Sequence, residues 1–273
     1  MDAKFKVRIL TRSKKGGEFD TDADVVEVDF TSVKSLTAAL AGIDAVVSTV
    51  AGPAIKTQGP LIDAAAAAGV KRFIPSEYGS VTTNSKLQTL PLYENVFMIK
   101  RHLQEKAGTT QLTWTVLACG AFLEFLFVPG GLADFADRRM TLRDKGDNRL
   151  SVTSLANAGR AVAGILINDR AIKNRVVKVS EVILTQNQVL DVARKLKPED
   201  KWEVDEIATS ALLQDGLDQF SAGDLSGIMK IIKGTALAGE TYGSAYDETD
   251  NELLGVKEMN KEDWEKIVAE KLA

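Results

Sequence analysis

The sequence predicts an α/β protein built on a parallel sheet, and three observations carry that reading. Strand-like segments alternate with further strands or helices at short spacing through the first third of the chain. The third of them opens on the apolar run Ala45-Val46-Val47, as a strand covered on both faces should. The stretch from Ala64 to Gly79 then gives a complete helix–turn–strand–loop sentence. Its alanines suit a helix lying flat on a sheet, and Gly69 stops that helix because glycine takes the left-handed cap without a Cβ penalty. Val70–Ile74 is the strand, and Pro75 ends it for want of a ladder donor. Ser76-Glu77-Tyr78-Gly79 is a polar loop at a strand's carboxyl end, where open parallel sheets bind ligands.

In order, Lys4–Thr11 alternates between polar Lys4, Lys6, Arg8 and apolar Phe5, Val7, Ile9, the period of a strand. The basic turn Arg12-Ser13-Lys14-Lys15-Gly16-Gly17 follows. Val25–Asp29 is the second strand, Ser32–Leu40 a helix capped by Thr31 or Ser32, and Ala45–Val50 the third strand. Gln58–Ala68 is the next helix and Val70–Ile74 the fourth strand. Tyr93–Ala107 is a helix carrying Lys100, and Thr113–Leu117 a fifth strand. Beyond Gly120 the texture changes. Phe122, Phe125, Phe127, Pro129, Gly130 and Gly131 form an aromatic, glycine-containing segment typical of a pocket wall. Thr141–Val152 reads as a hairpin turning at Asp144-Lys145-Gly146-Asp147. Ser154–Asn168 is a helix, Arg175–Val179 a strand, and Gln186–Leu196 and Thr209–Leu217 are helices. Lys261–Leu272 is an amphipathic helix with Asn260 as a cap. Without repeats or low-complexity linkers, the second half elaborates the first. The expected division is residues 1–119 and 120–273, with helix 154–168 and strand 175–179 as candidates to return to the first domain.

At 273 residues, 45% hydrophobic and 26% charged, the chain has the composition of a globular protein with a large core. A net charge of -4 supplies no basic field, so composition gives no support for a nucleic-acid partner. The single cysteine, Cys119, sits in an apolar run, cannot form an internal disulfide and fits a reducing compartment with buried packing as its role. The single histidine, His102, lies in a charged helical segment and reads as a surface residue, and no Cys/His spacing suggests a metal site. No signal segment or membrane span is apparent, so the expectation is a cytoplasmic protein.

Val7-Arg8-Ile9-Leu10-Thr11-Arg12, Val28-Asp29-Phe30 with Leu36–Leu40, Gly42–Ser48, Gly69–Gly79, Lys100, and Trp114–Leu117 leading to Gly120 and Phe122 occur in a shared order and spacing. Together they resemble the NmrA-like and isoflavone-reductase-like group of atypical short-chain reductases. The resemblance is densest from Lys4 to Phe127. It implies a Rossmann-like parallel sheet that binds NADP(H), carrying a smaller C-terminal α+β substrate domain. Arg12 then follows the strand beside the adenosine ribose, where its planar fork suits a 2′-phosphate and Lys14 or Lys15 adds charge; read without the resemblance, the same residues are a solvated basic turn. Asp29 and Phe30 lie beside the adenine, and Ser48, Thr49, Val50, Ala51 and Gly52 line the cofactor cleft. Pro75, Ser76, Glu77 and Tyr78 come near the nicotinamide, and Tyr78, Gly120 and Phe122 near the substrate. Lys100 carries the proposed chemistry, because enzymatic members use a lysine on this helix to assist proton transfer and hold the nicotinamide ribose. Its alternative is a solvated lysine in the run Lys100-Arg101-His102, and Tyr78 and Tyr93 are secondary candidates.

The sequence departs from the family pattern at one place. Complete members begin with an apolar strand, a glycine-rich loop and a helix, which bring backbone N–H groups to the cofactor pyrophosphate. Here Met1-Asp2-Ala3 run directly into the family's second strand, and no glycine-rich strand-to-helix turn occurs elsewhere. A parallel sheet without that central strand leaves ladder groups unpaired. Either neighbouring strands close the gap, or the chain is an amino-terminally truncated version of a longer protein, the reading favoured here. The leading functional expectation is an NADP(H)-dependent reductase of a small aromatic or conjugated substrate. The alternatives are a non-catalytic NmrA-like redox sensor with a protein partner, and a truncated form with impaired cofactor binding.

Overall fold

Parallel strands and helices alternate through the first part of the chain, as the apolar runs dictate. The computed structural model describes residues 5–15, 19, 23–168 and 170–272. The elements there are β1 (Arg8–Thr11), β2 (Asp24–Glu27), α1 (Val33–Ala39), β3 (Ala45–Val47), α2 (Gln58–Ala67), β4 (Arg72–Ile74), α3 (Glu94–Thr109) and β5 (Thr113–Ala118). They are followed by β6 (Ala121–Phe122), β7 (Arg139–Arg143), β8 (Leu150–Thr153), α4 (Leu155–Ile167), β9 (Arg175–Lys178) and β10 (Val182–Leu184). The chain ends with α5 (Gln186–Leu196), β11 (Glu203–Ile207), α6 (Thr209–Ser221), α7 (Gly227–Ala236), α8 (Asn251–Leu254) and α9 (Lys261–Leu272). Two compact units result. One takes in the chain through Glu77, Glu94–Val116 and Ile165–Val176; the other takes in Tyr78–Tyr93, Leu117–Gly164 and the chain from Val177 onward.

In the first unit the parallel sheet is split. β3, β4, β5 and β9 form a four-stranded sheet in that order, whereas β1 and β2 pair only with each other, in parallel, from Arg8↔Asp24 to Thr11↔Glu27. No ladder joins β1 to β3 among the described residues, so neighbouring strands do not close the gap expected from the sequence. The pair is held by other means. The Arg8 guanidinium bridges Asp24 at 2.8 Å and donates to the Ala39 carbonyl, the last of α1, at 2.8 Å. That places a cation on the negative end of a helix. Leu10, Val26 and Phe30 pack against the core formed by Leu36, Ile62, Phe73 and Val116. Val7 and Val47 remain exposed.

The Ala64–Ala68 run behaves as its composition requires: Ala64 and Ala65 are fully buried, because small side chains let α2 approach its neighbours closely. Gly69 adopts φ +76° and completes a Schellman motif, in which Val70 N–H bonds Ala65 O at 2.9 Å and Gly69 N–H bonds Ala66 O at 3.2 Å. β2 ends at Glu27, two residues before the expected end, because the Asp29 carboxylate turns the chain into α1, where Ser32 is the cap. β1 starts at Arg8, and Lys4, Gly16 and Gly17 of the expected strand and turn lie outside the described residues.

In the second unit β8 pairs antiparallel with β10 and parallel with β6, while β7 pairs in parallel with β11. The expected Thr141–Val152 hairpin is therefore wrong: its two halves enter different sheets. Asp144–Gly146 form a short 3-10 stretch kinked at Lys145, which has φ +71°, and the Asp144 carboxylate accepts both the N–H and the hydroxyl of Thr209. This ties the end of β7 to the start of α6, immediately after β11. The core gathers Phe135, Leu184, Val189, Trp264 and Val268, with Phe127 stacked on Phe135 at 4.9 Å. Asn260 caps α9 as expected, accepting from Asp263 N–H at 2.9 Å.

Gly120 has φ +70°, and a Cβ there would sit 2.2 Å from the Ser151 carbonyl oxygen. Gly120→Ala is expected to cost about 2–4 kcal/mol in urea denaturation, since strain and overpacking add. Gly59→Ala, with nothing within 4 Å and a helical backbone, is expected to leave stability unchanged or slightly raised.

Candidate functional site

The polar loops of the first unit follow the carboxyl ends of its strands. After β1, Thr11 Oγ1 donates to the Ser13 carbonyl at 2.9 Å and Lys14 N–H donates to the Glu27 carboxylate at 3.1 Å, which fixes the basic turn. Arg12, Lys14 and Lys15 are exposed, and the Arg12 guanidinium has no partner among the described residues. After β2, Asp29 Oδ1 accepts the Thr31 hydroxyl at 2.6 Å and the Thr31 N–H at 2.8 Å. These bonds hold the Asp29 carboxyl below its usual range. The carboxylate is thus engaged in its own turn, and Phe30 is half-buried against the core.

The loops after β3 and β4 are tied to one another. Ser48 is buried, and its N–H continues the ladder to the Ile74 carbonyl at 2.9 Å. Thr49, Ala51 and Gly52 are exposed and Val50 is half-buried, with Gly52 at φ +55° opening a short 3-10 turn into α2. Pro75 is buried, and the Ser76 hydroxyl donates to the Val50 carbonyl at 2.5 Å. Gln58, which sequence reasoning passed over, clamps both loops. Its Oε1 accepts Ser76 N–H at 2.7 Å and its Nε2 donates to the Ile55 carbonyl at 3.2 Å. No local signal in the sequence marks this role, which depends on two loops converging on one side chain. Glu77 is buried beyond the strand, its N–H turned back to the Pro75 carbonyl at 2.8 Å.

Lys100 is half-buried on α3, beside the buried Ile99, with no hydrogen bond or ion pair among the described residues. Its neighbours in the charged run differ. Arg101 is exposed, while His102 contacts Asp63 at 3.0 Å, and Lys106 bridges the same carboxylate at 2.7 Å. His102 is therefore a partly buried anchor between α2 and α3, where the sequence suggested a surface residue.

In the second unit, Tyr78 is half-buried and burial pushes its phenol pKa upward, with Cys119 adding to the shift. Its carbonyl accepts the Cys119 thiol at 3.0 Å. Phe122 is half-buried and meets Phe125 edge-on at 6.2 Å, while Phe127 belongs to the core. Tyr93 is buried with its hydroxyl on Thr235 Oγ1 at 2.8 Å, a bond inside this unit's packing. Two surface grooves, of about 500 Å³ beside Trp264 and about 260 Å³ beside Met98, are lined by none of the residues singled out for cofactor, substrate or proton transfer. Among the described residues no cluster of three or more His, Cys, Asp or Glu side chains forms a metal site, and no helix is long and apolar enough to cross a membrane.

The fold and these loops define an α/β protein of parallel strands with its polar segments at their carboxyl ends. The chain belongs to the NmrA-like family, whose model matches residues 1–230. It is 32% identical over 266 residues to oxidoreductase aprR of Aspergillus flavus, covering 95% of this chain and 88% of that relative. Among solved structures it is similar to the binary complex of leucoanthocyanidin reductase with NADPH from Vitis vinifera. That likeness has a TM-score of 0.74 and 18% identity, and covers 97% and 90% of the two chains. It is also similar to isoflavone reductase, with a TM-score of 0.72, 18% identity and coverage of 96% and 91%. At such identities the structural likenesses establish the fold.

The Cys119 thiol is fully buried and pushed up to about 12 by burial. Iodoacetamide at pH 8 is therefore expected to leave the folded protein unmodified while labelling it rapidly in denaturant, read by intact mass.

Proposed function

We propose that this chain is an NADP(H)-dependent reductase of a small aromatic or conjugated compound. The observation that carries the reading is Lys100, a half-buried lysine on α3 without a partner among the described residues. A lysine with a purely structural role would have a carboxylate, and Lys100 has none among the described residues. The likeness to oxidoreductase aprR supports the reaction class, and the NADPH in the leucoanthocyanidin reductase complex supports the cofactor.

The residues present fit such a cofactor at one end. Arg12, beyond β1 and without a partner among the described residues, with Lys14 and Lys15 in the same turn, would hold a 2′-phosphate; a guanidinium fork offers two parallel donors to such a group. Asp29 and Phe30 would flank the adenine, and Ser48–Gly52 and Pro75–Tyr78 would line the dinucleotide. When bound, the dihydronicotinamide supplies a hydride. Lys100 would hold the nicotinamide ribose and relay the proton that balances hydride addition, while Tyr78, Gly120 and Phe122 would contact the substrate. The protein is read as acting in the cytoplasm, with a small molecule as its partner.

A second reading, a cofactor-binding regulator without turnover, draws on the split sheet. No ladder joins β1 to β3 among the described residues, so affinity without proper positioning is physically coherent. Calorimetry is expected to give micromolar NADPH binding with NADH at least about tenfold weaker, and Arg12→Gln is expected to erase that preference. Lys100→Ala is expected to lower turnover by about 100-fold or more with NADPH affinity nearly unchanged. NADPH binding without turnover of any quinone, flavonoid or lignan offered would support the regulator.

A further inference from the structure

Several inward-leaning cations of this chain have a carboxylate: Arg8 has Asp24, Arg138 has Asp200 and Lys230 has Asp215. Arg143 and Lys233, both in the second unit, have none among the described residues. Arg143 closes β7 and is 8% exposed. Its backbone N–H donates to Gln186 Oε1 at 2.7 Å, and its Nη1 donates to the Thr141 carbonyl. Its Nε is buried with no hydrogen-bond partner, and Nη2 also lacks one among the described residues. The unmatched Nε–Nη2 edge is the side of a guanidinium that grips two oxygens of one anion. Leaving such a donor buried and unmatched costs about as much as a lost hydrogen bond.

A chain of contacts ties the helix that carries Lys233 to the segment that follows Arg143. Asp144, the residue after Arg143, fixes the start of α6 through Thr209 N–H at 2.8 Å. α7 lies against α6 so closely that a Cβ on Gly234 would come within 2.8 Å of Leu213 N. At the far end of α7, Asn148 Nδ2 donates to the Leu237 carbonyl at 2.8 Å, which ties that end to the segment after β7. Lys233 is in the last turn between these anchors, half-buried. Burial first, and then the Arg143 charge, lower the Lys233 pKa, and burial lowers that of Arg143. Asp144 does not neutralise them: its oxygens accept from Thr209 and Asn148, and no ion pair joins it to either cation.

We infer that Arg143 and Lys233 form a binding site for the oxyanion of a small ligand, a carboxylate or a phosphate. The planar fork of Arg143 takes two oxygens and the ammonium of Lys233 adds a third donor and a second charge. An anion there pairs the orphaned Nε and removes the repulsion between two neighbouring cations. The inference is independent of the reductase reading, and its test uses no nucleotide.

Benzoate, inorganic phosphate and the neutral isostere benzamide are titrated into the protein by calorimetry and by thermal unfolding. At least one anion is expected to bind and raise the unfolding midpoint while benzamide at equal concentration does not. Benzoate alone assigns a carboxylate ligand, phosphate alone a phosphorylated one, and both together a site for either. Lys233→Gln, at a half-buried position that tolerates change, is expected to weaken binding by about tenfold or more. Arg143→Lys keeps the charge but loses the fork, and is expected to weaken binding similarly. Binding of neither anion by the folded protein, equal stabilisation by benzamide, or unchanged anion affinity in Lys233→Gln overturns the site. So does phosphate binding that is lost in Arg12→Gln and kept in Lys233→Gln.

Discussion

Backbone pairing across a parallel sheet is the constraint on which the first unit depends. A strand in such a sheet satisfies its N–H and C=O groups on both sides only when both neighbours are present. Here β3 is paired by β4 alone and β1 by β2 alone, leaving each with one open edge among the described residues. Cohesion therefore falls to side chains. Arg8 connects the β1–β2 ladder to the end of α1, and Leu10, Val26 and Phe30 bring it onto the core shared by α1, α2 and the four-stranded sheet. A hydrophobic contact is non-directional and does not fix register, whereas a ladder does. The spacing between the Arg12 turn and the loops after β3 and β4 is consequently set by packing, and this is the interval that a dinucleotide would have to span.

Sequence reading succeeded where one local rule determined the outcome. Gly69 ends α2 because only a left-handed residue closes the Schellman turn, and α5 begins at Gln186 because Thr185 and Gln188 form a capping box. It failed where two rules competed. Asp144-Lys145-Gly146-Asp147 carries hairpin chemistry, but Asp144 has a stronger partner at Thr209, 65 positions away, and distant partners leave no local mark. β11 escaped because Glu203-Val204-Asp205-Glu206-Ile207 is mostly acidic and solvent-facing, with a strand's geometry imposed by the register opposite β7. α7 was not anticipated: Gly227 and Gly234 lower its intrinsic helix propensity. In the structure they let α7 approach α6 more closely than any Cβ would allow.

The candidate site divides along the same line. Arg12, Ser76 and Lys100 were singled out because each sits at a fixed offset from an element the sequence defines, and the resemblance assigned roles to those offsets. Gln58 was not singled out, since its role appears only when two loops converge on one side chain. Arg143 and Lys233 were still less visible. One lies on a strand read as half of a hairpin, the other on an unpredicted helix, and they are linked only through tertiary contacts of α6 and Asn148.

Electrostatics gives the unpaired cations their meaning. In a chain of net charge -4, carboxylates are more numerous than cations, and a lysine or arginine turned inward readily finds one. Arg138 does so with Asp200 at 2.5 Å, and Lys106 with Asp63 at 2.7 Å. Desolvating a cation without such a partner is unfavourable, so Arg143 and Lys233 persist where they are only because surrounding packing stabilises them. The same cost means an incoming anion or polar ligand recovers, at these positions, interaction energy that solvent no longer supplies. Binding sites in this fold are thus expected where the protein has withheld a carboxylate from a buried positive charge, a criterion that selects few residues and depends on no single motif.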